Sequence, residues 1–232
     1  MDKKRKGLLI AFEGSDGSGK ATQSKILVQH LNKLGYKTET LSFPVYTSRY
    51  GKKIAAFLRG DYGTINQVSP YYIAKLFADD RKSHKKQIIM ALSKGKIVIL
   101  DRYVSSNLFQ AAKMKSKKER SKFISWLYSL EYKKNKMPKE DMTFYLSLPV
   151  SVSQKLIAKK KKRSHLKGIK VDIQEKDIAF QKAVEKVYLK QIKISKHWKK
   201  IDCTKKGKLM SKKHISNNIF NAIAPLLKNI KK

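Results

Sequence analysis

The chain of 232 residues has one cysteine, Cys203. That excludes an internal disulfide and suits a reducing, cytoplasmic setting. No apolar run approaches the roughly 20 residues needed to span a bilayer. The basic start, Asp2 to Lys6, precedes an apolar stretch too short for a secretory signal. Acidic residues are few: 17 against 54 lysines and arginines, a formal charge of +37. Arginine is also rare, limited to Arg5, Arg49, Arg59, Arg81, Arg102, Arg120 and Arg163. The cations are therefore overwhelmingly lysine, spread along the whole chain rather than gathered in one arm or stripe. That spread reads as solvated surface and argues against a specific nucleic-acid face. Where lysine is the default cation, an arginine marks a place that needs fork geometry or a fixed charge. The five histidines (His30, His84, His165, His197, His214) lack the spacing of a zinc site.

What is present begins with Leu8 to Gln23, LLIAFEGSDGSGKATQ. Leu8 to Phe12 is an apolar run of the kind a strand buried on both faces requires. Gly14, Gly17 and Gly19 follow, then Lys20 and a segment with helical spacing. A glycine-rich turn between a buried strand and a helix N-terminus aims backbone N–H groups and the helix dipole at one spot. Lys20 adds a cation for the outer phosphates of a nucleotide. This is a phosphate loop over Gly14, Ser15, Asp16, Gly17, Ser18, Gly19, Lys20, Ala21 and Thr22. Ala21 stands where the pattern asks for a hydroxyl to hold Mg²⁺, and the next hydroxyl is Thr22.

Short apolar runs alternate with helical patterns from there on. Strands are expected at Thr38–Phe43, Lys96–Leu100, Thr143–Leu148 and Trp198–Asp202. Helices are expected at Lys20–Leu34, Tyr50–Leu58, from Pro70 to near Gly95, Val104–Lys113, Glu119–Tyr132, from Ser151 into Lys159–Lys162, Gln174–Lys196 and Ser211–Leu227. Strands separated by helices imply a parallel sheet covered on both faces, with ligands beyond the strand C-termini. The fold expected is α/β, a three-layer phosphate-loop arrangement with a five-stranded parallel sheet, in one domain over residues 1–232. Asp101-Arg102-Tyr103 ends one of those strands. An acid there can hold Mg²⁺, directly or through water, and the arginine beside it can take a second phosphate with both arms.

FEGSDGSGKATQ, FPVY, LFADDR and DRYVSSN occur in this order and together resemble the thymidylate kinase family of phosphate-loop nucleoside-monophosphate kinases. The resemblance implies a homodimer that transfers phosphate from ATP to dTMP with Mg²⁺, under a basic lid at about residues 159–173. In it Asp16 would bond the deoxyribose 3′-hydroxyl and Phe77 would stack on thymine. Arg81, one helical turn on, would reach the base edge, with Asn107 beside it. Arg102 would hold the dTMP phosphate, Tyr103 would crowd the sugar, and Tyr46 would help with the monophosphate. Asp101 would hold the metal. Lys20, Arg102 and Arg163 would be catalytic, Arg163 being the lone arginine of the lid segment. One family branch carries an arginine inside the loop; here that position is Gly17, so the lid branch is the closer match. Val45 stands where many relatives place an arginine, leaving Arg49 as a possible helper. The segment after Asn107 leaves open whether Phe109 or Gln110 faces the sugar. Two other functions are compatible with the residues: another deoxynucleoside-monophosphate kinase or a weakly active relative, and a basic phosphate-loop protein that binds nucleic acid.

Overall fold

The computed structural model describes residues 6–158, 164–169, 172–173 and 177–231. In chain order the elements are β1 (Leu8–Glu13), α1 (Lys20–Lys33), β2 (Thr38–Ser42), α2 (Arg49–Arg59), α3 (Pro70–Ser83), α4 (Lys85–Ser93) and β3 (Ile97–Asp101). Then come α5 (Leu108–Ala111), α6 (Lys117–Tyr128), β4 (Met142–Ser147), α7 (Val150–Ala158), α8 (Ile178–Ile194), β5 (Trp198–Asp202) and α9 (Lys212–Leu227).

Five strands form one parallel sheet in the order β2-β3-β1-β4-β5. β1 is central and every residue of it is buried, which is why it is apolar on both faces rather than alternating. Leu8, Ile10 and Phe12 pack with Leu27 and Leu31 of α1 and Ile219 and Ile223 of α9. Leu9 and Ala11 face the other way, onto Ile88, Ala91 and Leu92 of α4. The period-two alternation of one strand thus feeds both helical layers. At the edge, β5 buries Trp198 and Ile201 and exposes Lys199 and Lys200, charges that discourage pairing with another chain.

The layered parallel sheet matches expectation; four local features differ. The helix expected from Pro70 to near Gly95 breaks at His84. The Ser83 hydroxyl donates to the Asp80 carbonyl at 2.7 Å, and His84 Nδ1 lies 3.0 Å from the same oxygen, so side chains compete with the helical bond. The helix expected at Val104–Lys113 is a 3₁₀ turn, Val104–Asn107, followed by the four residues of α5. α6 passes into a π-helical turn over Ser129–Lys134. A small antiparallel hairpin, β6 (Thr204–Lys205) and β7 (Lys208–Leu209), was not expected. Its turn residues, Lys206 and Gly207, both have positive φ, the geometry of a tight primed turn.

Candidate active site

β1 lies between β3 and β4, so the chain turns to opposite sides of the sheet there and leaves a crevice past the strand ends. The phosphate loop fills it. Gly14 and Gly17 have φ of +141° and +82°, and neither has room for a side chain. A Cβ on Gly14 would stand 2.7 Å from the Leu146 carbonyl oxygen; on Gly17, 2.8 Å from that of Ser153. α7 therefore sits directly over Gly17, and an arginine inside this loop would have to displace it. α1 starts at Lys20 with no acidic residue in its first turn and no side-chain cap. Its first N–H groups and the positive end of its dipole are thus available to an anion.

Lys20 lies almost wholly inside the protein, 7% exposed. Its Nζ donates to the carbonyls of Gly14 at 3.0 Å and Ser15 at 2.9 Å. Burial pulls its pKa down to about 8, with the Arg102 charge acting in the same direction. Below that value the ammonium is charged and can take a phosphate. As pH rises through it, the charge is lost. We therefore expect kcat/KM for ATP to fall with a slope near −1 above about pH 8. A profile of initial rates against pH checks this. Lys20→Arg, whose charge persists at all working pH, is expected to flatten the fall.

Arg102 follows β3 with φ +68°, a left-handed conformation that costs energy for any residue with a Cβ and tends to be held at functional sites. Two bonds pin it: Arg102 N donates to Phe12 O at 3.0 Å, and Tyr103 N donates to Glu13 Oε1 at 3.0 Å. Its Nη2 donates to Asp16 Oδ1 at 2.7 Å. Burial works against its charge, but Asp16, Asp101 and Glu13 outweigh this and hold its pKa above the ordinary arginine value.

Glu13 closes β1 with no exposure at all. Besides Tyr103 N, it accepts from Ser106 Oγ at 2.7 Å and from Tyr188 Oη of α8 at 3.4 Å. Burial raises its pKa, and Arg102 opposes that. Sequence reasoning passed over Glu13; an acid ending a wholly apolar strand was the signal. Asp101 ends β3 partly exposed and lines the cleft beside Lys20, Ala21 and Thr22. Its carboxylate makes no hydrogen bond or ion pair among the described residues.

The far wall is aromatic. Tyr46 stacks on His165 with ring centroids 3.7 Å apart and planes 7° from parallel. Phe77 of α3 meets Phe109 of α5 edge to face at 5.8 Å. These residues, Asp16, Asp101, Arg102, Ser106 and Asp172 line one cleft of about 640 Å³ with the phosphate loop. That is the size of a small-molecule site. The Tyr46 loop is tied down by Asp80 of α3, whose carboxylate accepts from Val45 N at 2.9 Å and Ser48 Oγ at 2.6 Å.

Of the residues expected at the site, Asp16 to Thr22, Tyr46, Phe77, Asp101 and Arg102 line this cleft, and Gly14 and Ser15 line the smaller pocket that adjoins it at Asp16 and Arg102. Three expected ones do not. Tyr103 turns into the core, and its hydroxyl donates to Pro138 O at 3.0 Å. This corrects its reading as the residue that crowds the sugar. Arg81 has no exposure, its Nε donating to Glu131 Oε1 at 2.9 Å. Asn107 is equally buried and donates from Nδ2 to Ala74 O at 2.9 Å. Neither is part of the lining. Arg163 lies outside the described residues, as does the whole lysine run at 159–162.

A family model described as thymidylate kinase matches residues 12–215. The chain belongs to the thymidylate kinase family. A probable thymidylate kinase of Pyrococcus horikoshii is 35% identical over 188 residues, 80% of this chain and 82% of that one. The thymidylate kinase of Plasmodium falciparum is 30% identical over 206 residues, 88% and 86% of the two chains. A solved thymidylate kinase from Candida albicans has the same fold, with TM-score 0.72 and 24% identity over 97% of this chain and 93% of that chain. Membership makes this an ATP-dependent nucleoside-monophosphate kinase.

In this member of the thymidylate kinase family, packing bears on two open positions. Phe109, not Gln110, lines the cleft; Gln110 is buried without exposure. Val45 packs against the core cluster of Phe43 and Tyr103. Arg49 is exposed at the start of α2 and is absent from the cleft lining.

Proposed function

We propose that the chain transfers the γ-phosphoryl group of ATP to dTMP, giving dTDP and ADP. One observation carries this reading. A phosphate loop with Lys20 and a second anion-binding arginine, Arg102, share one cleft with an aromatic wall at Phe77 and Phe109. Such a cleft can hold two phosphorylated ligands with their phosphates meeting and a flat ring stacked at one end.

In this reading the loop N–H groups and Lys20 hold the ATP phosphates. Arg102 holds the dTMP phosphate, Asp16 takes the 3′-hydroxyl, and Phe77 stacks on thymine. Arg81 and Asn107, both buried at this end of the site, read the base edge. Their support is that Arg81 Nη1 and Asn107 Oδ1 are buried without a partner, a donor and an acceptor such as a pyrimidine edge requires. The phosphate of dTMP is already nucleophilic, so no covalent intermediate or strong base is needed. Catalysis then rests on alignment and on cations around the moving group: Lys20, Arg102 and, from the lid, Arg163. The packing of α7 over Gly17 favours a lid cation over a loop cation. The reading extends to a homodimer, supported by apolar side chains exposed on α3 and α4: Tyr71, Tyr72, Ile89 and Met90.

The residues also fit Mg²⁺. The site offers hard oxygen donors, the Asp101 carboxylate and the Thr22 hydroxyl, beside the phosphate loop. The ion keeps several waters and needs few protein ligands. When bound it would neutralise charge on the ATP phosphates. Because Ala21 lacks a hydroxyl, the burden falls on Asp101. Asp101→Asn is expected to raise the free Mg²⁺ giving half-maximal rate by about tenfold, and Ala21→Ser to lower it. Rates against free Mg²⁺ at saturating ATP check both.

A coupled assay over the common nucleoside monophosphates tests the whole reading. dTMP is expected to exceed dCMP in kcat/KM by on the order of 10²-fold, since an amino group facing the buried Arg81 leaves donors unpaired. Comparable turnover of the two would overturn the assignment.

A further inference from the structure

The pair formed by Arg81 and Glu131 is built unlike a simple structural ion pair. Neither side chain is exposed. Both Nε and Nη2 of Arg81 donate to one carboxylate oxygen, Glu131 Oε1. The other carboxylate oxygen, Oε2, and the remaining guanidinium nitrogen, Nη1, are buried with no partner. A pair that served packing alone would close as a fork on a fork, using both oxygens. A half-satisfied buried network is costly and asks for another partner.

The backbone around Glu131 is also specialised. Glu131 sits in the π-helical turn Ser129–Lys134, a widened form that is rare and tends to mark functional positions. Asn135 N donates to Leu130 O at 2.8 Å and Met137 N to Glu131 O at 3.0 Å. Lys85 Nζ holds the end of the turn through Asn135 O at 2.8 Å. The carboxylate is therefore presented by a fixed piece of backbone rather than by a free loop.

Charge explains what such a pair is for. The chain carries +37, and its cleft already holds Lys20 and Arg102 for phosphates. A bare guanidinium one helical turn from Phe77 would be a third anion site, at the wrong end of the cleft. Paired with Glu131, Arg81 is electrically neutral as a unit and keeps one uncommitted nitrogen, Nη1. A neutral carbonyl oxygen suits that donor better than a phosphate does. We propose that Glu131 is the positioning residue that makes Arg81 a reader of a neutral base carbonyl instead of a phosphate site. It thereby sets both base preference and the direction in which the monophosphate enters. This rests on the reading of Arg81 as facing the base edge.

The test compares Glu131→Gln, Glu131→Asp and Arg81→Lys, using dTMP, dCMP, ATP and inorganic phosphate. For Glu131→Gln, KM for dTMP is expected to rise about tenfold with KM for ATP unchanged. The preference for dTMP over dCMP should fall by a similar factor. Inorganic phosphate, competing against dTMP, should inhibit several-fold more strongly, because Arg81 is now a bare cation. A role confined to packing would not produce that last change. Wild-type preference and wild-type phosphate inhibition in Glu131→Gln, with preference lost in Arg81→Lys, would overturn the inference and leave Arg81 as the reader. Preference kept in Arg81→Lys would overturn the reading of Arg81 and the inference together. Should Glu131→Gln not fold, Glu131→Asp decides, since it keeps Arg81 and the charge while drawing the carboxylate back. A fall in the preference for dTMP over dCMP with KM for ATP unchanged supports the proposal, and wild-type preference overturns it.

Discussion

Lys20→Met is expected to lower kcat by on the order of 10³-fold while leaving KM for dTMP within a few-fold. The reasoning starts from geometry. Lys20 Nζ is held by two carbonyls of the phosphate loop, at 3.0 and 2.9 Å, and is nearly buried. It is thus preorganised in a site of low dielectric, where a cation aimed at developing charge is worth far more than in water. Methionine keeps the length and apolar stem of the side chain and removes the charge, so the loop should persist. Single-turnover rates with both substrates saturating isolate the chemical step. A kcat within tenfold of wild type would mean that Arg102 and the lid carry the transferring group without Lys20.

Arg102 is expected to show the second large effect, and to separate activity from stability. Arg102→Gly should lower kcat/KM for dTMP by about 10³-fold or more, since it removes the charge-assisted contact to the phosphate. It also leaves Asp16, Asp101 and Glu13 facing that phosphate with their compensating cation gone. Yet the same change relieves a left-handed backbone at φ +68°, a strain of about 1 kcal/mol for a residue with a Cβ. The arginine side chain is 24% exposed, so its 2.7 Å pair with Asp16 contributes modestly to folding. Melting temperature is therefore expected to hold or rise while activity collapses. Arg102→Lys should recover part of the activity through charge alone, without the fork. A large loss of melting temperature in Arg102→Gly would show that the arginine is held for folding instead.

Much of this molecule was legible from one dimension. The apolar run Leu8–Phe12 specified a strand buried on both faces because only a central parallel strand contacts two helical layers. Ser69-Pro70 specified the start of α3, since the hydroxyl caps and the proline lacks the N–H that would go unused. The spacing of Gly14, Gly17, Gly19 and Lys20 specified a phosphate loop because left-handed backbone and close approach admit little else. These are local rules, in which the deciding partners lie within a few residues.

Other features needed the third dimension, and each depends on a partner distant in sequence. Phe77 and Arg81 share a face of α3, which spacing predicts. Only the π-helical turn 50 residues on supplies Glu131, the buried partner of Arg81. Tyr103 is adjacent to Arg102, but the left-handed Arg102 turns the chain so that Tyr103 points into the core. Glu13 reads in sequence as a stray charge at a strand end; its partners Tyr103, Ser106 and Tyr188 are 90 to 175 residues away. The sequence by itself determined the layered sheet and its phosphate loop, because hydrophobic period and backbone freedom act locally. Which side chains face the cleft and which stand behind it was decided by tertiary packing, because burial and ion pairing join residues that the chain brings together only when folded.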